Sequence, residues 1–357
     1  MTSKIKQNGV EKNVQRDLYA MVNELKKTNS LSRGYQMVKS LEMLQELIVD
    51  NNLNINYPKE YEFEMNKFDI DKFDINYLNL YYQLNYKPML EYNKKLCKMS
   101  SYIKRTISIP KVVYMKDRLN IKQTYQIAND FLNYFDKNMY DYFNYLTNKQ
   151  RVFLGNVDCE GMATHANHVI EPYIILTPNE TIDDSLTMAH ELVHAYLLNK
   201  QRYFCEAEDL LYMINNYYEV YSIFIELVFQ EYLIDHKIFQ HDVIECAKKE
   251  IGDLCCYLDS FKDSAYLDHD VESYCYGHIL AYHFYNQYKI NPKEAKNNIY
   301  NFMLDAKDHE KMYMLNHYGL TMENIVNAKK LKRYINKHLE RLNKWTNTIV
   351  PKVQWNI

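Results

Sequence analysis

The chain of 357 residues is long enough for one large domain or two lobes. Its 43 Lys and Arg residues nearly balance 46 Asp and Glu residues, and the resulting net charge of -3 argues against nucleic acid as a partner. We find no apolar signal peptide and no run of about 18 apolar residues that could cross a membrane. Seven cysteines without a CxxC pair indicate reduced thiols, so we expect a cytoplasmic protein.

The scarcity of helix-breaking residues predicts a mainly α-helical fold. Only seven glycines and seven prolines occur in the chain. Apolar side chains at helical spacing predict helices within residues 1–50, 75–106, 121–146, 291–318 and 321–345. An extended segment is expected at 107–115. The many aromatic side chains are expected to pack in the core.

The sequence His190-Glu191-x-x-His194 carries the clearest chemical signal. Residues four apart on an α-helix lie above one another, so both imidazoles face the same point. Two neutral imidazoles at that separation suit a zinc ion, and Glu191 can reach a water molecule on the metal. Zinc lowers the pKa of such a water to about 7 and so makes it a nucleophile. The motif therefore predicts a zinc-dependent hydrolase.

The residues before the motif predict the strand, turn and helix that it requires. Residues 169–177 are rich in Ile, Val and Tyr and predict a short strand. Thr181 and Asp184 have the spacing of a capping box, and the apolar pattern then continues without Gly or Pro to Leu198. We therefore expect a small β-sheet next to the helix that carries the histidines.

A catalytic zinc ion needs a third protein ligand. The acidic candidates after His194 are Glu206, Glu208, Asp209, Glu219 and Glu226. Glu206 and Glu208 follow His194 too closely, because the chain is expected to be turning between two helices there. Glu219 lies among apolar neighbours, where an unpaired carboxylate would be costly and a metal would remove that cost. Ser222 and Glu226 share its helix face, and Glu226 either accepts a hydrogen bond from a ligand histidine or faces solvent.

The polar segment 156–168 also carries groups that could act at a site. Gly155 and Gly161 let the backbone approach a ligand closely. His165 and His168 are candidate metal ligands. The favoured interpretation is that they face substrate or form hydrogen bonds within the loop. The strand that follows could bind an extended peptide along its edge.

Several features together resemble the thimet oligopeptidase and oligoendopeptidase F family of zinc peptidases. The first feature is the motif His190-Glu191-x-x-His194. Residues 195–218 separate it from the second feature, which is Glu219-Val-Tyr-Ser222 followed by Glu226. The resemblance covers about residues 110–290. It implies a zincin-like fold in which His190, His194 and Glu219 hold one Zn²⁺ per chain, the gluzincin ligand set. It also implies that Glu191 is the general base and that the substrate is a peptide.

The family also uses a downstream His and Tyr to bind substrate and to stabilise the oxyanion. The corresponding stretch here runs from residue 268 to residue 282. A Tyr hydroxyl or an imidazolium aimed at the developing oxyanion would supply that stabilisation. The resemblance makes Tyr276 and His269 the leading pair. The other candidates are Tyr274, His278 and Tyr282.

The chain departs from the family pattern in two ways. Val193 stands where the family usually has Gly, and the chain is much shorter than typical members. The family implies hydrolysis of short peptides, but the shortening leaves substrate length and the choice between endo- and exopeptidase open. We predict a helical N-terminal part at 1–110 and a catalytic part at 111–357, with the helices of 291–350 packed on it. The alternative function is a non-catalytic peptide-binding or interaction protein that retains the fold.

Overall fold

The structure is a computed structural model. It describes residues 2–28, 31–67, 87–107, 115–157, 159–164, 169–201, 217–262, 269–306 and 311–344. Among these residues, no helix combines the length and the apolar character needed to cross a bilayer. The cytoplasmic location stays a prediction.

The described residues form mostly helices. The helices are α1 (Thr2–Leu25), α2 (Leu31–Asp50), α3 (Tyr61–Met65), α4 (Lys87–Lys104), α5 (Ile121–Phe135), α6 (Lys137–Asn148), α7 (Asp183–Gln201), α8 (Glu219–Asp235), α9 (Gln240–Ser260), α10 (His269–Tyr288), α11 (Pro292–Asp305), α12 (Lys311–His317), α13 (Met322–Ile325) and α14 (Ala328–Asn343). The strands are β1 (Val152–Leu154), β2 (Gly161–Ala163) and β3 (Ile174–Leu176).

The first of two compact units comprises Met1–Tyr82, Tyr125–Asn179 and Thr187–Ile214. It contains the sheet, ordered β1-β3-β2, in which β3 runs parallel to β1 and antiparallel to β2. The central strand β3 is buried along its whole length. Apolar side chains of α1 and α2 form one buried cluster with Tyr173 and Ile175. Burial of this shared apolar surface therefore holds the helices and the sheet of the unit together.

A buried ion pair lies within the first unit. Asp17 on α1 accepts a hydrogen bond of 2.6 Å from Nη2 of Arg151, and the two side chains are 5% and 4% exposed. The Tyr173 hydroxyl donates to the same Asp17 oxygen at 2.8 Å, and the guanidinium lies over the Tyr173 ring at 4.5 Å. Arg151 Nε also lies 3.4 Å from a carboxylate oxygen of Glu171, so Asp17 is the closer of two acidic partners. Because these groups are desolvated, removal of Asp17 would leave the buried guanidinium with only the more distant carboxylate.

The second unit comprises Gln83–Thr124, Glu180–Leu186 and Asn215–Ile357. Its helix α8 is buried on nearly every side and packs against α10. Asp242 lies in the first turn of α9 and is buried. Its carboxylate accepts hydrogen bonds from the backbone amides of Lys116 and Asp117. A helix that is apolar all round belongs to a core. Any carboxylate on the buried faces of α8 therefore needs a partner.

The predicted mainly helical fold with a small sheet is confirmed. The two helices predicted within residues 1–50 are α1 and α2, and α11 begins at the predicted Pro292. The predicted pattern at 121–146 forms two helices instead of one long helix. Asp136 separates them because its backbone is extended and its carboxylate accepts hydrogen bonds from the first amides of α6. Capping at a single residue leaves the apolar spacing almost unchanged, so the break is hard to detect from periodicity.

Two other expectations differ from the structure or lie outside it. The single helix predicted at 321–345 is the short α13 followed by α14, and the Asn327 side chain caps α14 by accepting from the Lys330 amide at 3.0 Å. The extended segment expected at 107–115 falls almost wholly outside the described residues. The predicted boundary between residues 110 and 111 falls there too and stays a prediction.

We expect Asp17→Ala to lower the free energy of unfolding by about 3 kcal/mol, the lower end of the cost of breaking a buried ion pair, because Arg151 would keep only the more distant Glu171 carboxylate. Urea denaturation of wild type and variant measures the difference. Glu24→Ala, also on α1, is the matched control. Glu24 pairs with the exposed Lys27, so this substitution should lower the free energy of unfolding by less than about 1 kcal/mol. Equal losses for the two variants would contradict the assignment of a structural role to the buried pair.

Candidate functional site

The two motif histidines lie one turn apart on α7. Their Nε2 atoms are 3.0 Å apart, and their ring centroids are 4.8 Å apart with the planes inclined at 65°. His190 is buried and His194 is half-buried. Nitrogen ligands bind zinc at about 2.0–2.1 Å, which separates two of them by about 3.3 Å in tetrahedral geometry. The orientation of the imidazoles would therefore let one ion contact both nitrogens.

Glu219 is the first residue of α8 and is only 3% exposed. The Ser222 hydroxyl lies 3.1 Å from Oε2 of Glu219 and 3.0 Å from its backbone oxygen, so it can donate to either. Helix α10 packs against Glu219 at Gly277, where an added methyl group would lie 2.7 Å from Cβ of Glu219. The sequence predicted both the burial of Glu219 and the shared face with Ser222. The structure adds that Ser222 is positioned to orient the carboxylate.

His190, His194 and Glu219 form one cluster. Each side chain offers a ligand atom, and these atoms all lie within 4.8 Å of one another. Two imidazoles and one carboxylate are a donor set typical of a catalytic zinc ion. In the part of the chain that the structure describes, no second group of three His, Cys, Asp or Glu side chains meets this spacing. The chemistry of the residues present therefore fits a zinc ion.

Glu191 lies on the side of α7 that faces strand β2. The side chain is 8% exposed. A methyl group added to Gly161 would lie 3.0 Å from Cγ of Glu191 and 2.6 Å from Cγ2 of Thr187. All the nearest atoms that the methyl group would meet belong to side chains, so an added methyl group would displace the side chains of Thr187 and Glu191. The sheet therefore lies next to the motif helix, as the sequence predicted.

Tyr257 on α9 is a neighbour of the site that the sequence did not reveal. Its ring stacks on Tyr274 of α10 at 5.3 Å with an interplanar angle of 14°, and it lies 6.2 Å from the His278 ring. Burial, followed by the carboxylates of Asp253 and Glu219, raises the pKa of Tyr257 to about 12. The Glu219 carboxylate therefore acts electrostatically on the hydroxyl of Tyr257. A chain with 35 tyrosines offers no sequence signal that would single out Tyr257.

The two other tyrosines predicted on α10 have different surroundings. Tyr276 is fully buried, and burial followed by the Glu272 carboxylate raises its pKa well above the usual value. Tyr282 is buried with its ring 6.1 Å from the ring of His338. An enclosed hydroxyl cannot meet a substrate without movement of its surroundings. Burial therefore favours the half-buried Tyr274 over Tyr276, while His278 is also buried, and the oxyanion roles of Tyr276 and His278 stay predictions.

Several predicted residues cannot be placed in the site. His269 begins α10, but its side chain lies outside the described residues. The remaining ligand candidates that lie outside them are His165, His168, Glu206, Glu208 and Asp209. Their roles stay predictions.

Glu226 is half-buried and lies near Glu250 on α9. Burial, followed by the Glu226 carboxylate, raises the pKa of Glu250 well above the usual value. Gln230 donates from Nε2 to Glu250 Oε1 at 2.5 Å and accepts at Oε1 from Nε2 of the buried His338 at 2.7 Å. Burial also lowers the pKa of His338 to about 3, so this chain of hydrogen bonds contains a neutral imidazole. The role of Glu226 as an acceptor for a ligand histidine stays a prediction.

Comparison with known proteins shows a likeness in fold. No family model and no curated protein matches the chain. A solved structure of a candidate peptidase from Chlamydophila abortus is 14% identical, with a TM-score of 0.50 over 89% of this chain and 63% of that chain. A candidate oligoendopeptidase F from Bacillus anthracis is also 14% identical, with a TM-score of 0.47 over 86% and 62%. The chain thus spans less than two thirds of the length of either protein.

We expect Glu250→Gln to raise the free energy of unfolding by an amount that grows as the pH rises above the unfolded pKa of the glutamate. The stability contributed by protonated Glu250 is complete below its unfolded pKa of about 4.3 and is lost as the pH rises through the raised folded pKa. Glutamine stays neutral throughout. Urea denaturation at a series of pH values measures the difference.

The neighbouring charges allow a control for this effect. The groups that act on Glu250 are Glu226, Asp183, Lys249 and Asp253. Glu226→Gln removes the largest charge effect among them, so the pH-dependent gain from Glu250→Gln should shrink in that background. A gain that is constant with pH would contradict the protonation of Glu250 in the folded chain.

Proposed function

We propose that the chain is a zinc-dependent peptidase that hydrolyses peptide bonds, with short peptides as the substrate class. The observation that carries this proposal is the approach of ligand atoms from His190, His194 and Glu219 to within 4.8 Å of one another. The base that such chemistry requires, Glu191, follows the first histidine directly. The likeness in fold to a candidate peptidase supports the same class of activity.

The ligand set suits the proposed reaction in charge as well as in geometry. A zinc ion, when bound, supplies Lewis acidity that polarises a carbonyl oxygen and lowers the pKa of water. Two neutral imidazoles and one carboxylate would leave such a site with a net positive charge. Ser222 can hold the Glu219 carboxylate in one orientation by donating to Oε2. The ligands would thus be held in place before substrate arrives.

Glu191 is proposed to transfer the protons of the reaction. Its carboxylate would accept a proton from the attacking water and then donate that proton to the nitrogen of the leaving amine. Its low exposure of 8% strengthens the electrostatic interactions of its carboxylate, because the effective dielectric is lower than in water. The space left by Gly161 would let this side chain adopt the position that proton transfer needs.

A hydrogen-bond donor for the developing oxyanion is proposed on α10. Tyr274 and His278 lie one turn apart and share the stacked group with Tyr257. Gly277, which directly precedes His278 on this helix, packs against Glu219. A hydroxyl or an imidazole N–H from this group would then be available to the developing oxyanion. His269 and Tyr276 are the alternatives that the family resemblance suggests.

We expect Glu191→Gln to lower kcat by about 10²–10⁴-fold, because the amide cannot accept the proton of the attacking water. Zinc content and melting temperature should stay at wild-type values. A mixture of quenched fluorescent peptides measures cleavage, and elemental analysis measures zinc. Cleavage by the variant at the wild-type rate would show that the proposed mechanism is wrong.

We expect zinc to stabilise the chelator-treated protein by about 2.7 kcal/mol when its concentration is 100 times the Kd. Glu219→Ala should abolish this gain, because the carboxylate is the proposed third ligand. Ser222→Ala keeps the ligand and loses only its hydrogen bond, so the affinity should fall by about 10–100-fold. Zinc binding together with an absence of cleavage would instead indicate a non-catalytic peptide-binding protein with the same fold.

A further inference from the structure

Gly277 stands at an unusual position for a glycine. The chain contains only seven glycines, and this one lies inside α10, where glycine destabilises a helix relative to alanine. The backbone at Gly277 does not adopt the left-handed conformation that favours glycine. Backbone conformation therefore does not require a glycine at this position. We infer that the glycine is present because a larger side chain would not fit between α10 and its neighbour.

The space around Gly277 is filled by Glu219 and its helix. A methyl group on Gly277 would lie 2.7 Å from Cβ of Glu219, 2.9 Å from Cδ1 of Ile223 and 3.3 Å from the backbone carbonyl carbon of Glu219. Ordinary van der Waals contact begins at 3.4 Å. The Cβ and carbonyl carbon of Glu219 are not the flexible end of a side chain, so relief of the contact requires the first turn of α8 to move.

We propose that Gly277 is a positioning residue for the Glu219 carboxylate. Gly277 determines how close the first turn of α8 lies to α10, and Ser222 orients the carboxylate at the other end of the same side chain. Glu219 is thus restrained at both its Cβ and its Oε2 atom. This inference rests on the proposed function in one respect, namely that the carboxylate is a zinc ligand.

The consequence for metal binding follows from the tolerance of coordination distances. Ligand distances in metal sites vary by about 0.2 Å. Relief of the contact in Gly277→Ala would need a displacement of Glu219 by several tenths of an ångström, since 2.7 Å has to become at least 3.4 Å. The two imidazoles are held by α7 and would not follow. The substitution should therefore weaken zinc binding.

The test is the zinc affinity of Gly277→Ala in the full-length chain. We expect a loss of about tenfold or more, measured on chelator-treated protein by competition with a chromogenic zinc chelator. The visible absorption of the cobalt-substituted protein should change as well, because it reports the geometry of the ligands. An unchanged affinity and an unchanged spectrum would overturn the proposal.

Gly161→Ala is the matched control. It also adds one methyl group beside the site, but the methyl meets Thr187 and Glu191 and none of the three proposed ligands. Its zinc affinity should equal that of wild type, while its peptide cleavage falls because Glu191 is displaced. An equal loss of zinc affinity in both variants would mean that any added methyl disturbs the site, and the specific role of Gly277 would be rejected.

A second variant keeps the proposal testable if Gly277→Ala folds poorly. Ile223→Val removes the Cδ1 atom that the methyl would meet at 2.9 Å but leaves Glu219 unchanged. The double variant Gly277→Ala/Ile223→Val should therefore melt closer to wild type in the metal-free state and still bind zinc weakly. Restoration of wild-type affinity in the double variant would overturn the proposal. Failure of wild type to bind zinc would instead reject the proposed function.

Discussion

The candidate site depends on two imidazole nitrogens that one helix face holds 3.0 Å apart. Two lone pairs at that distance repel each other unless a proton or a cation lies between them. Helix geometry fixes the separation of His190 and His194, but it cannot fix a donor that comes from α8. The position of Glu219 therefore has to be set by its own neighbours. Ser222 contacts its carboxylate end, and Gly277 lies against its Cβ end.

The position of the base depends on a longer series of contacts within the first unit. Arg151 and Tyr173 directly precede the parallel strands β1 and β3, and both side chains bind Asp17. The amide that begins β3 also donates to the backbone oxygen of Arg151 at 2.8 Å. These bonds fix the register of β1 and β3, and β3 in turn pairs with β2. Through that pairing, a buried charge cluster helps to place Gly161 beside Glu191.

Parts of this arrangement could be predicted because they depend on neighbours in sequence. Helical spacing was sufficient to predict that His190 and His194 face the same point. The apolar neighbours of Glu219 were sufficient to predict that its carboxylate is buried. The stacking of Tyr257 was not predictable, since it requires the packing of α9 on α10. The burial of Tyr276 was missed for a related reason. Helix α10 is largely buried over the described part of its surface, so its sequence does not show which side faces the site.

Both compact units are assembled from segments that are far apart in the chain, and this affects synthesis. A ribosome adds about 5–20 residues per second, so the first unit can be completed only after residue 214 has emerged. Within the second unit, α4 is made early, but α8 to α14 follow only after that point. Contacts between distant segments form slowly because a long loop loses entropy when it closes. Nascent chains would therefore expose apolar helix faces for many seconds before the segments that cover them have been made.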